Sequence, residues 1–223
     1  MASRRWLPAS LLPPASAAAA ERVESEDLAA LRAAAGRLAR RSPGRLRLAD
    51  ATDAVVHPRT GMRFPRRIGP FVRGAATRFD ADGADLGIAY ERRDGADPAA
   101  AKSAHVSIFL YPVPAALAAI GSAGQAEGTD VLFARAKADL GAVVLEEKTP
   151  LDPPLLGWHA RASGLAALDG TEQPVTEMLW LFAYLAGDWV LTCRATCPAG
   201  DEDAADDCAA LVDSLPWPES FGG

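Results

Sequence analysis

The chain has 223 residues, 49% of them hydrophobic, which is enough for one domain with its own core. Its net charge of −6 argues against bulk attraction to nucleic acid or to an anionic membrane surface. No uninterrupted apolar run in the sequence reaches the length of about 18 residues that a bilayer-spanning helix needs. We therefore expect neither a nucleic-acid partner nor a transmembrane span.

The first 20 residues have the layout of a secretory signal. Arg4 and Arg5 precede an apolar stretch at 6–12, and small residues with possible cleavage sites follow through Ala20. Prolines interrupt the apolar part, so a disordered Ala/Pro tail is the alternative. We expect a periplasmic or secreted protein, with a cytoplasmic one as the alternative.

An N-terminal amphipathic helix and its linker are predicted over residues 21–48. The helix itself spans 25–41, because Ser25 suits its N-cap and the Ser-Pro-Gly sequence at 42–44 stops it. A single domain is expected over residues 49–223.

The pattern of this domain predicts strands in groups, with helices between the groups. Strand candidates lie at 55–57, 62–64, 71–79, 86–91, 104–111, 143–147, 158–163 and, as a pair, between 174 and 197. Helices are predicted at 115–120, 129–140 and 202–215, and the glycine-rich segment 121–128 is interpreted as a flexible loop. This order indicates an α+β fold, a mainly antiparallel β-sheet with helices on both faces.

Alternation assigns side chains to the two faces of the strands at 104–111 and 189–197. In the first strand, one face carries Val106, Ile108 and Leu110, and the other carries His105, Ser107, Phe109 and Tyr111. In the second strand, one face carries Trp189, Leu191, Cys193, Ala195 and Cys197, and the other carries Val190, Thr192, Arg194 and Thr196. A hairpin with Gly187-Asp188 as its turn leads into this second strand from 178–185, which is apolar enough to be buried on both faces.

Three cysteines, Cys193, Cys197 and Cys208, allow at most one internal disulfide. Cys193 and Cys197 share a predicted strand and are roughly 13 Å apart at a strand's rise, whereas a disulfide needs Cα atoms within about 7 Å. Cys197 ends that strand and Cys208 lies on the following helix. We predict a Cys197–Cys208 bridge worth about 2–3 kcal/mol, with three buried free thiols as the open alternative.

Known catalytic and metal motifs are missing from the sequence. It contains no Cys-x-x-Cys pair, no Gly-x-Ser-x-Gly elbow and no P-loop. The acidic segment 80–85 could bind calcium, but it departs from the EF-hand pattern and suits an ordinary turn. His57, His105 and His159 are far apart in sequence, and His159 is predicted to point to solvent with Arg161. We expect no metal, no cofactor and no catalytic residue.

An arginine-rich region spans residues 59–78. The candidates for an anion or partner site are Arg63, Arg66, Arg67 and Arg73. A solvated charged face is the alternative. Phe64, Phe71 and Phe79 could add a stacking surface for nucleic acid, but the even spacing of Phe71 and Phe79 on one predicted strand suits a core face.

The segment from His57 to Pro65, followed by Gly69 to Arg73, resembles a pattern in a group of uncharacterised, often exported bacterial proteins. The layout of residues 50–217 also resembles the PsbP-like fold, an antiparallel sheet sandwiched between helices. The resemblance implies this fold and export. It supplies no catalytic residue.

These observations predict a non-enzymatic exported protein that binds a partner or a small ligand in the cell envelope. One alternative is a hydrolase whose site is assembled from scattered residues such as His57, His105 and Asp82. The other is a cytoplasmic anion-binding protein that uses the four candidate arginines.

Overall fold

The computed structural model describes residues 54–93, 102–119, 124–138, 140, 143–150, 157–186 and 188–218. They belong to one compact unit, residues 43–223. The predicted signal and the predicted helix at 25–41 lie outside the described residues. Among the described helices, none has the length and apolar character needed to cross a membrane.

Ten strands and three helices occur in the described part of the chain. The strands are β1 (Ala54–Val56), β2 (Arg63–Pro65), β3 (Arg67–Ile68), β4 (Phe71–Arg78), β5 (Leu86–Arg93), β6 (Lys102–Pro112), β7 (Val143–Pro150), β8 (Gly157–Leu168), β9 (Thr171–Leu185) and β10 (Trp189–Pro198). The helices are α1 (Ala115–Ala118), α2 (Gln125–Ala138) and α3 (Glu202–Asp213). The predicted mainly antiparallel α+β architecture is confirmed.

Eight strands form one sheet in the order β3-β4-β5-β6-β10-β9-β8-β7, and every neighbouring pair is antiparallel. Two meanders build it, β3 to β6 and β7 to β10, and they join through the β6–β10 pair. Helices α1 and α2 lie in the connection from β6 to β7. Strands β1 and β2 form a separate hairpin. The β6–β10 pair therefore lies at the middle of the sheet.

Two hydrophobic cores lie on opposite faces of this sheet. Strand β9 contributes to both, since successive side chains of a strand point to opposite faces. The first face carries Met178, Trp180 and Phe182, and its core includes residues of α3 and of the β1–β2 hairpin. The second face carries Leu179, Leu181 and Ala183, and its core includes residues of α1 and α2. Burial of β9 on both faces is confirmed.

Helix α3 is capped by Asp201 and is held on the first face by two ion pairs. Asp201 caps the helix, because its Oδ1 accepts a hydrogen bond from the Ala204 amide at 2.9 Å. Arg92 Nε lies 2.7 Å from Asp207 Oδ2. Arg161 pairs with Glu202 at 3.0 Å. The pairs connect the helix to β5 and to β8, so they orient α3 across the sheet.

The predicted hairpin of β9 and β10 is confirmed, with Leu185 opposite Trp189. The Asp188 amide donates a hydrogen bond to the Leu185 carbonyl at 3.2 Å, and the predicted turn residue 187 lies outside the described residues. Helix α2 begins four residues before the predicted start at Thr129. Thr129, which would be the N-cap of a helix that starts at the predicted position, lies inside the helix, where its hydroxyl donates a hydrogen bond to the Gln125 carbonyl.

The prediction that Phe71 and Phe79 share a core face is wrong. Phe71 is fully buried, whereas Phe79 is 36% exposed. A β-bulge in β4 is the cause: Arg73 pairs with Tyr90, and Ala76 pairs with Ile88, so β4 contains one extra residue and later side chains change face.

Candidate functional site

Three of the candidate arginines lie on β2, β3 and β4, and Arg66 lies in the bend between β2 and β3. Arg63, Arg66 and Arg67 are exposed. Arg73 is half-buried, and its guanidinium donates a hydrogen bond to the Phe64 carbonyl. Arg73 therefore holds β2 in place, and among the four candidates the exposed positive charge belongs to the other three side chains.

His57 is a fully buried structural residue of the β1–β2 hairpin. Its Nε2 lies 3.2 Å from the Ala84 carbonyl oxygen, and its Nδ1 accepts a hydrogen bond from the Thr60 amide at 3.1 Å. A proton on Nε2 satisfies both contacts, which defines the neutral tautomer. Its ring also packs edge-on against Trp189, with centroids 4.9 Å apart.

The three residues considered for a scattered hydrolase site do not meet. His57 lies on the first face, among residues of its core. His105 alternates with Ala104 and Val106 of that core, so it lies on the second face. Asp82 is exposed in the loop between β4 and β5.

His159 does not point to solvent as predicted. Its ring is stacked on Trp180, with centroids 4.9 Å apart and planes inclined by 30°. Register explains this, because His159 lies directly opposite Trp180 on the first face. Arg161, two residues further on the same face, contacts Glu202 of α3.

The acidic loop between β4 and β5 is a turn. Asp80 Oδ2 accepts a hydrogen bond from the Ala84 amide at 3.1 Å, and Gly83 has φ +71°, a conformation that glycine adopts readily. In the described part of the chain, no group of three or more histidine, cysteine or acidic residues could hold a metal ion.

The cysteines are free thiols in the structure, and all three are buried. Cys197 and Cys208 are hydrogen-bonded to each other, and this contact lowers the pKa of the Cys197 thiol and raises that of the Cys208 thiol. Burial raises the pKa of the Cys193 thiol. If one thiolate forms in this pair, it forms on Cys197.

A polar cluster lies on the second face, where β5, β6 and β10 approach helix α2. We call it the Tyr111 cluster and define it as Asp85, Tyr111, Arg135, Thr192 and Arg194. The phenol oxygen of Tyr111 on β6 is 3.3 Å from the Thr192 hydroxyl on β10. Antiparallel pairing of these strands brings the two hydroxyl groups together.

Strand register puts Asp85 beside this phenol. Leu86 pairs with Leu110, and both belong to the core of the first face. Asp85 and Tyr111 each lie one residue away, so both point to the second face. Burial raises the pKa of Asp85 to about 6, and the negative charge of Asp80 adds to the effect. This carboxyl group therefore changes its charge just below neutral pH.

Two guanidinium groups complete the cluster. Burial raises the pKa of Tyr111, while the hydrogen bond between Tyr111 and Thr192 and the positive charges of Arg135 and Arg194 lower it. Arg194 Nη2 donates a 2.7 Å hydrogen bond to the Ala136 carbonyl in the last turn of α2, where the helix dipole favours a cation. The cluster thus holds two cations and one carboxyl group that titrates.

An aromatic surface borders the cluster. The rings of Phe79 and Phe109 have centroids 6.2 Å apart. They cover Gly87, where a Cβ would lie 2.9 Å from Phe79 Cε2 and 3.3 Å from Phe109 Cδ1. Phe109 is directly opposite Thr192 and two residues before Tyr111 on the same face. Apolar surface and hydrogen-bonding groups therefore adjoin.

This arrangement has the chemistry of a ligand site. Hydroxyl and guanidinium groups recognise a carboxylate, and exposed aromatic carbon contacts an apolar body. A carboxyl group that titrates near neutral pH is frequent at functional sites.

The sequence assigned the faces of β6 and β10 correctly, so Tyr111 and Thr192 were already placed on polar faces. It did not predict that these strands are neighbours, and it considered Asp85 only within the acidic segment 80–85, as part of a turn or of a calcium site. The available signal was the polar alternation on two otherwise buried strands.

No known protein family matches the chain, and no curated protein matches its sequence. The chemistry of the site therefore carries the functional assignment.

Proposed function

We propose that this protein is a non-enzymatic binding protein whose ligand is a small carboxylate with an aromatic or apolar body. The Tyr111 cluster is the proposed site. The observation that carries the proposal is the 3.3 Å contact of Tyr111 with Thr192, next to two guanidinium groups and beside Phe79 and Phe109.

The carboxylate would lie at the hydroxyl and guanidinium groups. Arg135 and Arg194 outnumber Asp85, so the site carries net positive charge whether or not Asp85 is ionised. The apolar body would lie against Phe79, which is 36% exposed although it is a large hydrophobic residue. A neutral ligand of the same shape would lose the charge-assisted hydrogen bonds, which are the stronger ones.

We further propose that the protein acts in the cell envelope after export, and that its fold is a PsbP-like sandwich. The signal-like layout of the first 20 residues supports export. The antiparallel sheet with α3 on one face and α2 on the other supports the sandwich.

Saturation-transfer NMR with benzoate and benzamide tests the binding proposal, because the two probes share a ring and differ in charge. We expect benzoate to bind with a Kd on the order of 1 mM and benzamide to bind more weakly. The double variant Tyr111→Phe with Thr192→Val should lose the benzoate signal.

Tyr90→Phe is the matched control. Tyr90 is a buried phenol on the first face whose hydroxyl donates to the Pro65 carbonyl at 2.7 Å. Its variant loses one buried hydrogen bond away from the site, so it should keep benzoate binding. Equal binding by the wild type and the Tyr111/Thr192 variant would contradict the proposed site, and turnover of a hydrolase substrate panel would contradict the non-enzymatic role.

A second candidate function is anion binding at Arg63, Arg66 and Arg67, and their joint exposure favours it. Replacing the three by glutamine should abolish binding of inorganic phosphate if this candidate is correct. Unchanged phosphate binding in that variant would remove it.

A further inference from the structure

Two of the three cysteines meet across the contact between strand β10 and helix α3. Cys197 is the penultimate residue of β10, and Cys208 lies in the middle of α3. Both side chains are 0% exposed. The two thiols are hydrogen-bonded to each other, and the Cys197 thiol also lies 3.9 Å from the Thr176 carbonyl oxygen. The chain thus brings two sulfur atoms into contact and excludes water from both.

We propose that Cys197 and Cys208 are a disulfide-forming pair, oxidised to an intramolecular bridge when the chain folds in an oxidising compartment. This inference is independent of the proposed ligand site, which lies on the other face of the sheet. It concerns a covalent modification and needs no ligand.

The oxidant is a small disulfide or the disulfide of a thiol oxidoreductase. The Cys197 thiolate attacks one sulfur of the oxidant, forms a mixed disulfide and releases one thiol. The Cys208 thiol loses its proton and attacks the Cys197 sulfur, and the second thiol of the oxidant leaves. Two protein thiols are oxidised, and one external disulfide is reduced to two thiols.

Burial controls when this reaction occurs. An external disulfide cannot reach sulfur atoms that are 0% exposed, so oxidation of the folded protein requires α3 to detach locally from the sheet. During folding the thiols are still accessible. The bridge therefore forms quickly in a refolding chain and slowly in a chain that has already folded reduced.

The ion pair of Arg92 with Asp207 contributes to the slow oxidation of the folded protein, because it holds α3 on the sheet. It lies one residue from Cys208 and joins α3 to β5 at 2.7 Å. Arg92→Gln should therefore favour local detachment of α3 and speed oxidation of the folded protein by a factor of about 2 to 5.

Cys193 provides the control. It is buried on the same face of β10, four residues before Cys197, so its side chain lies at a distance along the strand that a disulfide does not span. Cys193→Ser should leave the bridge unchanged.

The experiment refolds the full chain in a buffer of reduced and oxidised glutathione, alkylates free thiols after denaturation, and measures intact mass and disulfide-linked peptides. We expect the wild type to accept one alkyl group, at Cys193, and to yield a peptide pair linked through Cys197 and Cys208. Cys193→Ser should accept none, and Cys208→Ser should accept two. Bridge formation should raise the melting temperature by on the order of 5 to 10 °C relative to the reduced protein.

Three alkyl groups on the refolded wild type would overturn the proposal, and so would a linked peptide that contains Cys193. Peptide mapping of the wild type decides the question even if a serine variant does not fold. Failure of benzoate binding has no bearing on this result, so the two proposals fail separately.

Discussion

The hydroxyl group of Tyr184 occupies the space above Gly128 of helix α2. A Cβ at position 128 would overlap this hydroxyl oxygen and would lie 2.9 Å from the ring carbon that bears it. The same hydroxyl lies 3.5 Å from the Leu117 carbonyl of α1. Gly128 thus permits β9, α1 and α2 to pack together on the second face.

Gly128→Ala should therefore destabilise the protein by about 1–3 kcal/mol, although alanine is the better helix former. Urea unfolding monitored by circular dichroism measures the change. Tyr184→Phe removes the overlapping oxygen, so the double variant should recover part of the loss. Gly74→Ala is the control, since a Cβ there meets its nearest atom at 3.7 Å. Equal stability of Gly128→Ala and wild type would show that the helix packs differently.

Asp85→Asn should stabilise the protein above neutral pH. The pKa of Asp85 is raised to about 6 in the folded protein. The free energy of unfolding therefore falls as pH rises from about 4 to about 6, and it stays at the lower value at higher pH. The variant removes the buried charge. We expect a gain of about 1–2 kcal/mol near pH 8 and none near pH 4.

Asp82→Asn controls for this prediction, because Asp82 is an exposed carboxylate in the same loop. The unfolding free energy of the Asp82→Asn variant should follow that of the wild type across the pH range. A stability difference of Asp85→Asn that does not change with pH would contradict the assignment of a raised pKa.

Acid should destabilise the protein through His57. Burial lowers the pKa of His57, opposed by the Ala84 carbonyl and by the Asp80 carboxylate. A neutral His57 therefore contributes stability above about pH 6.5, and this contribution is lost as pH falls below that value. The measurement is the pH dependence of the unfolding free energy in the Asp85→Asn background, where the opposing titration is absent.

In that background, His57→Gln should flatten the decline below about pH 6.5. His105→Gln, which alters a histidine on the second face, should leave the decline in place. A decline that persists in the His57 variant would assign the acid sensitivity to another group.

Benzoate should bind more tightly as pH falls from about 7.5 to about 5.5. Protonation of Asp85 removes a negative charge next to Tyr111, while the positive charges of Arg135 and Arg194 remain. We expect the affinity to rise by a factor of about 3 to 10. Titrations of the wild type and of Asp85→Asn at both pH values measure this, and the variant should bind equally at both.

Local patterns in the sequence predicted the strands and their faces well, since alternation is a local property of the chain. Tyr111 and Thr192 were each assigned to the correct face. The 3.3 Å contact between them depends on the pairing of β6 with β10, which are separated by the whole second meander. No local pattern in the sequence encodes the pairing of β6 with β10, so local patterns could not predict the site.

Two other differences have specific physical causes. The bulge in β4 moved Phe79 to the second face, and the spacing of apolar residues does not reveal an extra residue in a strand. Helix α2 includes Gly128, which local propensity assigned to a loop. The contact with Tyr184, a tertiary effect, overrides that propensity.

Amide chemical-shift mapping with benzoate near pH 5.5 is the decisive measurement for a ligand site at the Tyr111 cluster. We expect the shifts to concentrate at Phe109, Tyr111 and Thr192, and to disappear in the Tyr111→Phe, Thr192→Val variant. Shifts that concentrate at Arg63, Arg66 and Arg67, or that stay unchanged in the variant, would contradict a ligand site at the Tyr111 cluster.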